Sequence, residues 1–236
     1  MRRALVIGGR RGIGAAVVQA LAAQGVDVTY TYRTPFADAA GTSRRLDLAE
    51  RTAVDAFAQE QEDAPAWDAF VHVSGTTYDT LATVMDQDAA EQTMQVNYWA
   101  FARIARAVVR PMLRARSGRI VVIGSVMGLH ASQGNASYAA SKAALLSYVR
   151  TLAIESARRG VTVNYVAPGF VDTEMMAPYA AYRAGIEARI PAGRFAQPEE
   201  IAAVVAFLVS PAAGYINGAY IPIDGGLTAS LGIHRG

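Results

Sequence analysis

Residues 120–142 run Ile120-Val121-Val122-Ile123-Gly124-Ser125, then a glycine-containing loop, then Asn135-Ala136-Ser137-Tyr138-Ala139-Ala140-Ser141-Lys142 at the head of a long apolar run. The four β-branched residues before Gly124 have the length and composition of a buried strand, and the run from Ser137 onward repeats at helical spacing. Strand, loop and helix in that order put Ser125 at the strand's C-terminal end. Tyr138 and Lys142 are four residues apart and therefore share one face of the helix.

A tyrosine hydroxyl ionises at about 10 in water, and a neighbouring ammonium favours the phenolate. Bringing that value to about 7 takes roughly 4 kcal/mol, at about 1.36 kcal/mol per unit. The pair thus suits a general acid for a developing alkoxide. Lys142 is the only lysine in the chain; every other basic side chain apart from the histidines is arginine. A compact ammonium on a flexible stem and a broad planar guanidinium are not interchangeable beside a tyrosine. Ser125 is not the nucleophile of a G-x-S-x-G elbow, because Gly124 precedes it directly. It suits a hydrogen-bond donor to a substrate carbonyl oxygen.

Toward the N-terminus, Leu5 to Ile7 reads as a strand and Ile13 to Gln24 as a helix closed by Gly25. Between them lies Gly8-Gly9-Arg10-Arg11-Gly12-Ile13-Gly14. Glycines so placed allow a tight turn and let a pyrophosphate approach the free N–H groups of the helix N-terminus. The second strand, Asp27 to Thr31, leads into Tyr32 and Arg33, with no carboxylate before Asp38. An acidic residue there binds the ribose hydroxyl of NAD, whereas a cation accepts a 2′-phosphate. Arg33, with Arg10 and Arg11, therefore points to NADP(H). Residues 34–43 leave little room for a crossover helix before a strand at 44–46, so that helix is expected to be shortened or lost.

Further strands are expected at 68–71, 161–166 and 219–223, with helices at 49–61, 87–115, 137–158 and 198–209. Alternating strands and helices give an α/β fold: a single Rossmann-like doubly wound domain, a seven-stranded parallel sheet flanked by helices. The 236 residues, 52% hydrophobic and 18% charged, suffice for one such domain with a large core. The formal charge of +2, without a long basic run, argues against nucleic acid as a partner. The chain has no cysteine, which excludes disulfides and thiolate catalysis. No metal site is expected. The opening Met1-Arg2-Arg3-Ala4-Leu5-Val6-Ile7 is broken by Gly8-Gly9 and reads as a strand rather than a signal peptide. No apolar run approaches a membrane span, and a cytoplasmic location is expected.

Ser125, Tyr138, the x-x-x spacing to Lys142 and the G-x-x-x-G-x-G turn together resemble the short-chain dehydrogenase/reductase family. Within it the chain is most similar to the 3-oxoacyl-(acyl-carrier-protein) reductases, over roughly residues 3–227. The resemblance implies NADPH-dependent reduction of a 3-oxoacyl thioester to the 3-hydroxyacyl form in fatty-acid or polyketide-type chain synthesis. Asn97 would be a fourth catalytic member beside Ser125, Tyr138 and Lys142, holding a water in a proton relay from a locally distorted helix. Asn97 also reads as a core amide satisfied by backbone groups. The implied cofactor contacts are Gly8, Arg10, Arg11, Gly12, Ile13, Gly14, Arg33, Asp47, Leu48, Ser74, Gly75, Tyr138, Lys142, Pro168, Gly169, Val171 and Thr173. Asp47 is equally a candidate N-cap for the helix that follows it.

The family uses residues like 174–195 as a substrate lid. Met175, Met176 and Tyr179 there, with Met127, Ser125 and Tyr138, form the expected substrate wall, with His130 and Gln133 nearby. Arg116 and Arg159 match two arginines that receive the acidic carrier protein, and a cationic patch would steer it. A homo-oligomer, dimeric or tetrameric, is expected, and a hetero-oligomer with a related subunit is the alternative. Two departures stand out. Ile7 replaces a threonine that commonly precedes the first glycine, implying a missing hydrogen bond, and His72-Val73-Ser74 replaces Asn-Asn-Ala before Gly75. The rival readings are a reductase or dehydrogenase of another ketone or alcohol and, farther off, a non-catalytic NADP-binding sensor or partner subunit.

Overall fold

A computed structural model describes residues 3–34 and 42–230. Among these, seven strands form one sheet: β1 Arg3–Ile7, β2 Asp27–Tyr32, β3 Thr42–Arg45, β4 Ala69–His72, β5 Gly118–Ile123, β6 Val161–Pro168 and β7 Tyr220–Ile223. Their order is β3-β2-β1-β4-β5-β6-β7, and every neighbouring pair is parallel. The chain begins in the middle, moves outward to β3, then returns beside β1 and continues to β7. The reversal between β1 and β4 opens a crevice beyond the strands' carboxyl ends, where such sheets bind ligands.

Helices cover both faces: α1 Gly12–Ala22, α2 Arg51–Glu62, α3 Gln87–Met94, α4 Ala100–Ala115, α5 Ala136–Ser156, the short α6 Arg183–Glu187 and α7 Pro198–Val209. Side chains alternate along the strands, so each strand feeds two cores. Leu5, Ile7, Phe70, Ile120 and Val163 pack with Phe57, Phe101 and Leu145 from α2, α4 and α5. Val6, Val28, Val71, Val121 and Val166 pack with Val17, Leu21, Ile201 and Val205 from α1 and α7. Burial on both faces explains the apolar runs Ala4–Ile7 in β1, Ala69–Val71 in β4 and Ile120–Ile123 in β5.

Several boundaries differ from the sequence expectation. The helical stretch 87–115 is two helices joined by a π turn, Gln95–Trp99, where the Ala100 N–H reaches back to the Gln95 carbonyl, so the local distortion expected at Asn97 is present. A turn of that kind removes carbonyls from the regular ladder, and Asn97 is its central residue. α5 stops at Ser156, and a tight turn, Ala157–Arg159, follows it before Gly160 enters the left-handed region at φ +69°. β3 begins two residues earlier than expected. The expected loss of the crossover helix at 34–43, and Asp38, rest largely on residues 35–41 and lie outside the described residues. Among the described residues no helix is long and apolar enough to cross a membrane.

Candidate active site

A cavity of about 620 Å³ opens at the carboxyl ends of β1, β2 and β4. Its floor is the glycine turn. The Gly8 N–H donates to Thr31 Oγ1 at 3.0 Å, and the Gly9 N–H donates to the Thr31 carbonyl at 3.0 Å. The glycine turn after Ile7 is thus held by Thr31 of the neighbouring strand. At the outer end, Arg10 Nη1 donates to the Thr34 carbonyl at 2.7 Å, and Arg45 Nε donates to the Arg33 carbonyl at 3.3 Å. Three arginines therefore ring the turn after β2, and Arg45 was not foreseen. Arg11 turns the other way and pairs with Glu174 at 2.8 Å. Both partners are mostly exposed, so the pair adds little stability, but it ties the glycine turn to the segment after β6. Asp47 Oδ1 accepts the Ala49 N–H at 3.0 Å, closing an Asx turn. Asp47 is therefore not the N-cap of α2; that position belongs to Glu50.

At the inner end the wall thins to Gly75. A Cβ placed there would lie 3.2 Å from Lys142 Nζ and 3.4 Å from Asn97 Oδ1, so both groups stand directly behind that glycine. Lys142 is buried, donates to the Ile123 carbonyl at 3.3 Å, and sits 5.6 Å from the centre of the Tyr138 ring. Asn97 is fully engaged. Its Oδ1 accepts the Thr76 N–H at 2.8 Å, while Nδ2 donates to the Thr76 carbonyl and to Ser141 Oγ, both at 2.9 Å. Its side chain behaves as the satisfied core amide, and it fixes the segment after β4 that carries Gly75 against α5. Ser125 is buried, its Oγ accepts the Met127 N–H at 3.1 Å, and its hydroxyl is a hydrogen-bonding neighbour of the Tyr138 phenol.

Burial pushes the Tyr138 phenol above its ordinary value, the Ser125 hydroxyl pulls it back down, and the Asp79 carboxylate pushes it up again. The lowering expected from Lys142 is therefore not found: burial raises the phenol, and the Ser125 hydroxyl, not the ammonium, is what lowers it. The phenol is protonated at neutral pH, as a proton donor must be. Burial lowers Lys142 to about 8. His72, wholly buried with neither ring nitrogen hydrogen-bonded, is lowered to about 3 by burial and then by Lys142.

The histidine has a consequence for acid stability. Its folded value lies below the unfolded 6.5, so the unfolded chain binds the extra proton and stability falls as pH drops from 6.5 toward 3. At pH 5 that loss is about 2 kcal/mol, at about 1.36 kcal/mol per unit. His72→Leu is expected to flatten the decline between pH 7 and pH 5 in urea titrations; an unchanged slope would show that His72 does not titrate in this way.

A family model described as enoyl-(acyl carrier protein) reductase matches residues 7–228. The 3-oxoacyl-(acyl-carrier-protein) reductase FabG of Salmonella typhimurium is 37% identical over 234 residues, covering 95% of this chain and 96% of that one. The chain belongs to the short-chain dehydrogenase/reductase family. MabA of Mycobacterium tuberculosis, also named a 3-oxoacyl-(acyl-carrier-protein) reductase, is 39% identical over 228 residues, covering 96% of this chain and 92% of that one. Among solved structures, a gluconate 5-dehydrogenase from Burkholderia cenocepacia in complex with NADP and tartrate superposes with a TM-score of 0.89 at 31% identity, over 98% of this chain and 96% of that one.

As a short-chain dehydrogenase/reductase, the chain is an NAD(P)-dependent oxidoreductase. The cavity has the features such a cofactor needs: backbone approached closely at Gly8 to Gly14, cations at one end and a buried ammonium at the other. Of the expected contacts, Gly8, Arg10, Arg11, Gly12, Ile13, Gly14, Arg33, Asp47, Leu48, Ser74, Gly75 and Thr173 line it. Tyr138, Lys142, Pro168, Gly169 and Val171 do not. Lys142 stands behind Gly75, while Gly169 is bound to β7, its N–H donating to the Ile223 carbonyl at 3.0 Å. Of the substrate residues only Met175 borders the cavity. Met127 lies in the turn after Ser125, and Met176 and Tyr179 lie on the helical segment Glu174–Tyr182 without reaching the wall.

Arg116 and Arg159 lie in adjoining turns before β5 and β6, where Arg116 Nη2 donates to the Arg158 carbonyl at 3.2 Å. Those turns are at the opposite end of the sheet from Ser125, so the structure does not bring the pair to this chain's own site. Thr31 and Tyr165, both important to the site's geometry, read in the sequence as ordinary strand residues. Only their partners across the sheet reveal them.

Proposed function

We propose that the chain reduces a 3-oxoacyl thioester, carried on acyl carrier protein, to the 3-hydroxyacyl form with NADPH. One observation carries the reading: Lys142 stands behind Gly75 at the inner end of the cavity, 5.6 Å from the ring of Tyr138, whose phenol neighbours the Ser125 hydroxyl, while Arg10 and Arg33 line the outer end. Ser125 Oγ accepts from Met127, which leaves its own proton for the ketone oxygen. The protonated Tyr138 donates to the same oxygen as it becomes an alkoxide. NADPH, when bound, supplies the hydride to the carbonyl carbon. Lys142 would hold the ribose next to the nicotinamide, and the π turn at Asn97 leaves carbonyls where a relay water could resupply the proton. Thr173, whose methyl would sit 3.0 Å from a Cβ on Gly12, closes over the glycine turn, and Pro168 to Val171 set its position.

The segment 174–195 acts as a lid in this reading, with exposed Met175 and Tyr182 offering apolar surface to an acyl chain. Arg116 and Arg159 would receive the carrier, which ties the reading to an oligomer in which a second copy presents its site near that pair. Exposed Trp99, Ile154, Phe207 and Tyr215 support assembly into a dimer or tetramer. The second reading, a dehydrogenase of a sugar acid, is favoured by the likeness to gluconate 5-dehydrogenase.

The test follows consumption of reduced cofactor with a 3-oxoacyl chain on carrier protein and, separately, with 5-ketogluconate. Turnover of the thioester, preferring NADPH over NADH by about 10- to 100-fold as charged hydrogen bonds to a phosphate imply, is expected. Faster turnover of ketogluconate would replace the carrier-bound substrate with a sugar acid, and binding of NADPH without turnover of either would favour a sensor.

A further inference from the structure

Tyr165, in the middle of β6, is fully buried, yet its hydroxyl is engaged with two other elements. It accepts the Ser125 N–H at 3.0 Å. It also lies 3.2 Å from the Ser125 carbonyl and 3.2 Å from the Lys142 carbonyl, and its single proton serves one of these at a time. Two glycines admit it: a Cβ on Gly124 would fall 1.7 Å from the ring, and one on Gly128 would fall 2.7 Å from the hydroxyl. The ring stacks on Tyr220 at 5.7 Å, which fixes it from the far side. One phenol thus grips the backbone of both Ser125, at the exit of β5, and Lys142, in the second turn of α5. A strand core filled only for packing would need no hydroxyl at that point.

We propose that Tyr165 is a positioning residue: it locks the exit of β5 to the head of α5 so that the Ser125 hydroxyl meets the Tyr138 phenol. This rests on the reading of Ser125 and Tyr138 as the pair that binds the ketone oxygen. The mechanism is geometric. Without the hydroxyl, the Ser125 N–H loses its acceptor and the peptide is free to rotate, carrying the side chain away from Tyr138. Misplacement of a reacting group by about 1 Å costs about 100-fold in rate.

Tyr165→Phe keeps the ring and removes the grip. It is expected to lower kcat by about 10- to 100-fold while the NADPH Kd and the KM for the ketone stay within about twofold, because neither is held by Tyr165. The loss should disappear when Ser125 is already alanine, since Tyr165 acts through Ser125. Equal losses with and without the Ser125 hydroxyl would mark a merely structural role and overturn the proposal. Gly128→Ala, which crowds the same hydroxyl from the other side, is expected to give the same kcat-only loss and covers the case in which Tyr165→Phe fails to fold.

A readout independent of turnover is the ionisation of Tyr138, taken as the ultraviolet difference between each NADP-saturated protein and its Tyr138→Phe counterpart. Removing the Tyr165 hydroxyl should move it to higher pH, because the Ser125 hydroxyl holds it down. An unmoved midpoint overturns the proposal whatever the activity. A moved midpoint in a protein that reduces no ketone upholds the positioning and overturns the reductase reading instead.

Discussion

Lys142→Met is expected to abolish turnover while making the cofactor-free protein more stable. The ammonium is buried, donates to the Ile123 carbonyl at 3.3 Å, and is lowered to about 8 from 10.5. The folded value is thus depressed, so at neutral pH both states are charged and the folded one carries the desolvation cost. At about 1.36 kcal/mol per unit, that cost is about 3 kcal/mol. Between pH 8 and 10.5 the unfolded chain binds the extra proton, so native stability rises with pH through that window. The advantage of the methionine variant should therefore be largest at pH 7 and shrink toward pH 10.5. Urea titrations at those two pH values check this; a variant less stable than the native protein at pH 7 would mean that the ammonium is satisfied in the fold. Turnover should fall by about 10³- to 10⁴-fold, within the range for loss of a proton-transfer partner. A functional group held at a cost in stability is what the trade-off between the two predicts.

Gly14→Ala is expected to disable both folding and cofactor binding. A Cβ at that position would lie 1.9 Å from the Gly8 carbonyl oxygen and 3.1 Å from Gly9 Cα. The obstacle is backbone, so no rotamer relieves it. Gly8 and Gly9 are themselves pinned by their N–H bonds to Thr31. The first turn of α1 must therefore separate from the glycine turn, opening the place where the pyrophosphate would approach the helix. A loss of about 3–5 kcal/mol is expected, in the upper range for a single substitution, lowering Tm by about 10 °C for a chain of this size. NADPH affinity, read by nucleotide fluorescence, should fall at least about 100-fold in whatever protein remains folded. Native-like affinity and melting would mean that α1 shifts freely, against the packing of Val17 and Leu21 on the sheet.

The two variants separate the site into halves. Gly14 acts at the outer, cofactor end through backbone contact. Lys142 acts at the inner end through charge. Ser125, Tyr165 and Tyr138 connect that inner end to β5, β6 and α5, which is why a change at buried Tyr165 is expected to reach the reacting oxygen.

Much of this was decided by sequence alone. Ile120 to Ser125, Tyr138 and Lys142 fix a strand, a loop and a helix whose side chains fall on known faces, because strand and helix periodicities are local. Gly8, Gly12 and Gly14 declare a close backbone approach by residue type, and the lone lysine among arginines marks its own position. Other features depended on which strands become neighbours. Thr31 holds the Gly8 N–H only because β2 lies beside β1. Tyr165 reaches Ser125 only because β6 lies beside β5. Asn97 meets Gly75 and Ser141 because the π turn aims it between them, and Arg116 and Arg159 fall at the end of the sheet away from Ser125. Partners of this kind are 19 to 44 residues apart in sequence. Local propensity carries no record of such pairings, nor of the burial that raises Tyr138 and lowers Lys142. Those properties come from the packed fold, where solvent is excluded and distant backbones supply the missing donors and acceptors.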